Sequence, residues 1–227
     1  EIYSEMFRLM IPIVLASTIF SLKSMIDASL FGKLMIAKGY DEEVVVALRG
    51  MYTGKFVVLI NLPIYIGDAL PSVASSVALG RYDEVRERLH TVVKTVLMIA
   101  VPCSFGLTVL GKPILRLLFS SSYAGGELFW VGSFAVVFYC VNYVATGILQ
   151  GLNKPQIPMR HAFIGVAITC VLNAFFVWVL DLGVYALPLN TLIFSGLLMV
   201  MNLRAATREC KTRLRLLSMI KTPFICG

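Results

Sequence analysis

The chain has 227 residues, 58% of them hydrophobic and 15% charged, with a formal net charge of +7. Water-soluble domains run nearer to about 45–50% apolar and about 25% charged, so the composition excludes an ordinary soluble domain and points to an integral membrane protein. The basic residues flank apolar segments without the aromatic interleaving of an RNA-binding face, so nucleic acid is not an expected partner.

A hydrocarbon core of about 30 Å needs about 20 helical residues to cross it. Apolar windows that meet this span requirement recur at 9–32, 56–80, 95–111, 128–153, 162–180 and 182–203. Barrel-type alternation is absent, so the windows predict helices. The expected fold is an all-α integral membrane lobe of six transmembrane helices over 1–215. The tail ending "SMIKTPFICG" reads as the start of a further, truncated helix over 216–227. The first apolar run is too long for a cleaved signal peptide and carries Lys23 and Asp27. The chain opens without Met and reads as a fragment of a longer membrane protein.

In the first span, the window from Arg8 to Lys33 centres near residue 20–21. Lys23 then lies about 4 Å from the midpoint at a helical rise of about 1.5 Å per residue. Asp27 follows one turn later on the same face. The second span contains "NLPIYIGDALP", from Asn61 to Pro71. Asp68 is the thirteenth of the 25 residues between Lys55 and Arg81, which places it near mid-bilayer. A charge there costs on the order of 2.5–3.5 kcal/mol and faces the protein interior or a wet cavity. Lys23 and Asp68 are therefore expected to meet at similar depth, across two adjacent antiparallel helices, in a common polar cavity. Pro63 and Pro71 free the carbonyls of Leu59 and Gly67, and Gly67 adds backbone freedom, so 59–71 reads as a helix that bends. Interrupted helices of this kind surround transporter sites. Static kinks, and ion pairing that serves only helix packing, are the competing readings.

Further along, 81–94 reads as a short amphipathic surface helix leading into the third span. The fourth span carries Asn142, Gln150 and Asn153, and the fifth Asn173. Single amides of this sort act as interhelical hydrogen-bonding groups more often than as ligands. Tyr139 and Tyr143 share a face suited to core packing, and Trp130 and Trp178 suit an interfacial aromatic belt. Five scattered cysteines, with no CxxC, read as small packing residues. With residue 1 on the cytoplasmic side, 13 of the 20 Lys and Arg fall inside and 6 outside, a positive-inside bias. No GxxxxGK[ST], HExxH or GxSxG appears, and His90 and His161 stand apart, so enzymatic activity, a cofactor and a metal are not expected.

Several stretches in order along the chain carry a resemblance: "RLMIPIVLASTIFSLKSMIDASLF", "RGMYTGKFVVLINLP", "ALPSVASSVALGRYDEV", "ILQGLNKPQIP" and "VLNAFFVWVLDLGVYALPLNTL". Together they resemble the second half of stage V sporulation protein B-like proteins, within the multidrug, oligosaccharidyl-lipid and polysaccharide exporter superfamily. The resemblance implies two six-helix lobes around a cavity that opens alternately to either side, the first lobe lying outside this sequence. It implies flipping of an undecaprenyl-diphosphate-linked saccharide such as lipid II across the cell membrane. The related lipid II flippase branch carries cavity arginines in this lobe. No arginine lies within these spans, so Lys23 and Lys55 are the candidate diphosphate-binding cations. The family's "GIxGA" turn appears here as "GVYALP".

On this reading Asp68, Lys23, Asp27, Lys55 and Asn61 bind substrate or a coupling cation or proton, and Pro63, Gly67 and Pro71 act as hinges. A cation-coupled multidrug exporter of the same superfamily, with Asp68 holding the drug cation, is the rival transporter. A non-transporting scaffold for cell-wall synthesis is the rival of a different class.

Overall fold

The structure, a computed structural model, describes residues 2–68, 82–119 and 124–210. Pro71, the boundary expected at 215 and the helix start expected over 216–227 lie outside these residues. All regular structure among the described residues is helical. In chain order α1 is Ile2–Ala37, α2 Glu42–Met51, a π-helical turn Tyr52–Phe56, and α3 Val57–Asp68. There follow α4 Tyr82–Leu118, α5 Leu128–Gly132, α6 Ala135–Gly151, α7 Gln156–Trp178, a 3-10 turn Gly183–Tyr185, and α8 Ala186–Glu209.

Among the described residues four segments are long and apolar enough to cross a membrane: Thr91–Leu118, Leu128–Gly151, Gln156–Trp178 and Gly183–Glu209. They coincide with the last four windows read from the sequence. The first window lies within the 36-residue α1, and the second is described only as far as Asp68. The segment 81–94 is not a separate surface helix. From Tyr82 onward it is the first part of the continuous α4, with no break before the apolar stretch that follows.

Local chemistry explains the joints. Gly39, at φ +92°, ends α1, with the Tyr40 amide donating to the Met35 carbonyl at 3.2 Å. The left-handed conformation this closure needs suits a residue without Cβ. Asp41 then caps α2, its carboxylate accepting from the Glu43 amide at 3.2 Å. Asn153, at φ 57°, closes α6 in the same way, as the Lys154 amide donates to Leu149 at 2.9 Å.

The fourth window is one segment of spanning length, Leu128–Gly151, within which the α-helix is interrupted at residues 133–134. There the backbone tightens to i→i+3 bonds, Val136 to Ser133 and Val137 to Phe134, both 3.1 Å. The Ser133 hydroxyl bonds that of Thr108 on α4 at 2.5 Å. Gly132 sits so close to Phe56 and Pro188 that a Cβ would overlap both.

The helices stack in the order α1, α7, α8, α6, α4, with the described part of α3 lying against α6 and α4. The segment holding α6 is the most enclosed, 56% buried against 33% for the one holding α7. Accordingly α7 presents Phe163, Ile164, Val171, Phe175 and Trp178 outward. An outer face this apolar belongs in lipid. The core divides along the bundle axis. Phe31, Met35, Tyr52, Phe56, Leu115, Phe129 and Leu187 pack together toward the end bearing α2. Val93, Leu97, Val141, Ala145, Leu149, Leu203 and Ala206 pack toward the other.

Candidate functional site

Helix α1 buries the stripe that holds Lys23 and Asp27 among apolar residues and exposes an apolar stripe, the inverse of a helix on a soluble protein. Ile19, Lys23, Asp27, Ala28, Phe31 and Met35 are buried, whereas Val14, Leu15, Leu22, Met25 and Ile26 are exposed. That inversion is what a membrane imposes, since lipid accepts Leu and rejects charge. Spaced one turn apart, Lys23 Nζ and Asp27 Oδ2 form an ion pair at 2.6 Å. Lys23 is 4% exposed and Asp27 fully buried.

Burying two such ions costs several kcal/mol each, offset only where geometry and further hydrogen bonds are good. Those bonds come from distant parts of the chain. Asn190 Nδ2, on α8, donates to Asp27 Oδ1 at 3.2 Å. Asn173 Nδ2, on α7, donates to the Asp27 carbonyl at 3.3 Å. Lys23 Nζ donates to Thr191 Oγ1 at 3.4 Å and lies 4.8 Å from the centre of the Phe194 ring. Thr191 Oγ1 in turn shares a hydrogen with the Tyr52 hydroxyl at 2.6 Å. Tyr52 begins the π-turn, where the Val57 amide bonds back five residues to the Tyr52 carbonyl. The Tyr52 ring is buried and stacks on Phe56 at 5.4 Å. Asn173 Oδ1 and Asn190 Oδ1 are buried without a partner among the described residues.

The residues singled out from the sequence separate into groups. Lys23 and Asp27 come together in this cage. Lys55 stands elsewhere on the π-turn, donating to the Ala124 carbonyl at 3.3 Å with Nζ 5.6 Å from the Phe119 ring centre. Asn61 is half-buried on α3, and Pro63 is buried within that helix, which continues through it. Gly67 and Asp68 close the described part of α3, and the Asp68 side chain lies outside the description. So does any meeting of Lys23 with Asp68. The described anionic partner of Lys23 is Asp27, and α1 packs chiefly on α7. Asn173 serves as the interhelical hydrogen-bonding group expected of it. Tyr52, Asn190 and Thr191 were not singled out. Their one local signal is a cluster of polar residues, Asn190 and Thr191, inside an apolar window.

A second polar cluster joins α6, α7 and α8 toward the opposite end. Asn202 Nδ2 donates to Asn142 Oδ1 at 2.7 Å and to Thr146 Oγ1 at 3.3 Å. Asn202 Oδ1 is thereby left as the acceptor for His161 Nδ1 at 2.6 Å, so that nitrogen carries the hydrogen. At the α2 end, Glu127 accepts from Lys112 at 3.0 Å and from the Tyr185 hydroxyl at 2.8 Å. These partners hold its carboxyl below the usual carboxylate range, the tyrosine hydrogen bond first. A groove of about 580 Å³ lies beside Lys112, Pro113, Arg116 and Leu117. Among the described residues no three His, Cys, Asp or Glu side chains gather as metal ligands would.

Comparison with known proteins bears on this arrangement. A family model described as "Lipid II flippase MurJ" matches residues 3–224. "Lipid II flippase MurJ" of Bacillus subtilis is 27% identical over 185 residues, covering 76% of this chain and 33% of that protein. "Probable lipid II flippase MurJ" of Aquifex aeolicus is 29% identical over 114 residues, 47% of this chain and 23% of that protein. The matched part thus spans a third or less of either relative's length. No solved structure matches the chain significantly.

Proposed function

Since the chain belongs to the MurJ lipid II flippase family, we propose that it forms one lobe of a transporter that carries a lipid-linked saccharide, lipid II or a polysaccharide precursor, across the cell membrane. The family match over residues 3–224 is the observation that carries this reading. The chain is a multi-pass membrane protein with apolar helices of spanning length. In the proposed lobe, α1 and the segment beginning with α3 add two spans to the four already evident, making six. A second lobe of the same protein completes the cavity.

The substrate class sets what the lobe must do. A diphosphate needs cations to meet it and an apolar tail needs lipid access. Asp68, Lys55 and Asn61 are assigned to substrate binding or coupling, and Pro63, Gly67 and Pro71 to bending of the second span. Rocking of two lobes about a midplane site then moves the headgroup between leaflets. Lys23 and Asp27, already neutralising each other, hold α1 to α7 and α8 so that the lobe moves as a body.

The test is lipid II translocation by the full-length protein, in cells depleted of their own flippase. Asp68→Asn is expected to cut translocation by about tenfold or more, the loss of one transition-state interaction of about 1.4 kcal/mol. Full translocation by that variant overturns the assignment of Asp68. Drug efflux without lipid II translocation by the unaltered protein overturns the substrate class. Intact cell-wall synthesis from a variant that folds but translocates nothing favours a scaffold.

A further inference from the structure

We propose that the groove at the outer end of α4 is a binding site for the phosphodiester headgroup of an anionic phospholipid, gripped by Lys112 and Arg116. The groove measures about 580 Å³ and is lined by Lys112, Pro113, Arg116 and Leu117. Ordinary ligand clefts run from about 300 to 1,000 Å³. The four residues fall at i, i+1, i+4 and i+5 of one helix, so a cationic row stands beside an apolar row. Phosphate chemistry suits the first, and a glycerol backbone with its acyl chains suits the second.

Depth puts the groove among headgroups. The uncharged stretch 95–111 of α4 rises about 26 Å at about 1.5 Å per residue, close to a hydrocarbon core of about 30 Å. Lys94 marks its inner end and Lys112 its outer end, so Arg116 stands in the outer headgroup layer. Around the groove Val109, Leu110, Leu117 and Leu118 are exposed, Leu117 at 85%. A soluble ligand has no use for such an apolar border, whereas a lipid covers it. The positive-inside count assigns this end to the side with fewer cations, 6 of the 20. Two of those six line this groove one turn apart, so topology does not account for them.

Charge sets the valence of the ligand. Lys112 Nζ donates to Glu127 Oε1 at 3.0 Å, and the Tyr185 hydroxyl donates to Glu127 Oε2 at 2.8 Å. Glu127 is thereby kept in its charged form and fixes the ammonium at the rim of the groove. An ammonium carries three hydrogens, so Lys112 can serve a phosphate oxygen as well. Lys112 and Arg116 against Glu127 leave a net charge of +1. That balances one phosphodiester, which carries a single negative charge, and falls short of a diphosphate. A guanidinium adds a two-pronged grip on phosphate oxygens. The occupant is lipid of the bilayer, so the site is the same whatever the protein transports.

The experiment is native mass spectrometry of the full-length protein, purified in detergent and titrated with dioleoylphosphatidylglycerol, dioleoylphosphatidylcholine or undecaprenyl diphosphate. The unaltered protein is expected to retain one phosphatidylglycerol at least about tenfold more tightly than phosphatidylcholine. Lys112→Gln with Arg116→Gln is expected to lose that preference and to melt as the unaltered protein does, since both side chains are exposed. Arg160→Gln with Arg204→Gln, which removes two exposed cations at the opposite end, is expected to keep it. An unchanged preference in the Lys112 and Arg116 variant overturns the proposal, as does equal retention of phosphatidylcholine by the unaltered protein. Undecaprenyl diphosphate held more tightly than phosphatidylglycerol, and lost with the same two side chains, overturns the assignment to bilayer lipid. Should the double variant aggregate, Arg116→Gln alone is expected to weaken retention about fivefold, and unweakened retention by it also overturns the proposal.

Discussion

The two buried polar clusters at opposite ends of the bundle solve the same problem at different stakes. Toward the α2 end the Lys23–Asp27 cage encloses two full charges, tied to α7, α8 and the π-turn. Toward the other end Asn142, Thr146, His161 and Asn202 are joined by hydrogen bonds alone. In lipid, helices gain little hydrophobic advantage from touching each other, so packing and interhelical polar contacts select the arrangement. The amide cluster adds modestly to packing and sets the register of α6, α7 and α8. The charged cage is all-or-none, because either ion alone is a heavy cost.

Breaking one half of the charged pair tests this contrast most severely. Asp27→Asn leaves a buried ammonium uncompensated and is expected to cost about 3–5 kcal/mol in unfolding free energy. Replacing both, as Lys23→Met with Asp27→Leu, is expected to recover most of that loss, since apolar substitutes for a buried pair are often neutral or stabilising by about 1–4 kcal/mol. A double variant no more stable than Asp27→Asn would remove the charge-balance account of the cage.

At the other end, Asn202→Ala strands the partners of one amide without stranding a charge. The expected loss is about 1–2 kcal/mol, read in the same unfolding experiment. A loss equal to that of Asp27→Asn would erase the distinction between the clusters. Within the cage, Tyr52→Phe deletes one hydroxyl while Thr191 keeps Lys23 as a donor, so about 0.5–1.5 kcal/mol is expected.

The smallest effect lies at the exposed Glu127. Its carboxyl titrates below the ordinary range because of Tyr185 and Lys112, so the folded state favours the charged form. The associated stability is present above the unfolded carboxylate range and is lost as pH falls through the folded value. Glu127→Gln should flatten that acid limb slightly without moving stability at neutral pH by a large amount. An unchanged acid limb would mean that solvent and salt screen the contact entirely.

Much of this was visible along the chain, for reasons that are local. Four apolar windows matched helices of spanning length because the bilayer sets a length that composition alone must meet. Lys23 and Asp27 could be placed on one face because helical spacing fixes it. Short ordered motifs sufficed for the superfamily. The break after Gly132 escaped notice, since apolar residues continue through it and its cause is contact with Thr108, Phe56 and Pro188. The loop helix α2 and the π-turn escaped as well, and with them Tyr52.

What the sequence determined by itself is therefore one-dimensional: which segments enter lipid, and which residues within a segment cannot face it. What the tertiary structure alone decided is how Asp27 is satisfied. Asn173 and Asn190 stand 146 and 163 positions away, brought in because α7 and α8 pack beside α1. Periodicity names the face of a helix that must be covered. Which helix covers it is settled by side-chain fit and hydrogen-bond pairing among all the helices at once, and no single segment carries that information.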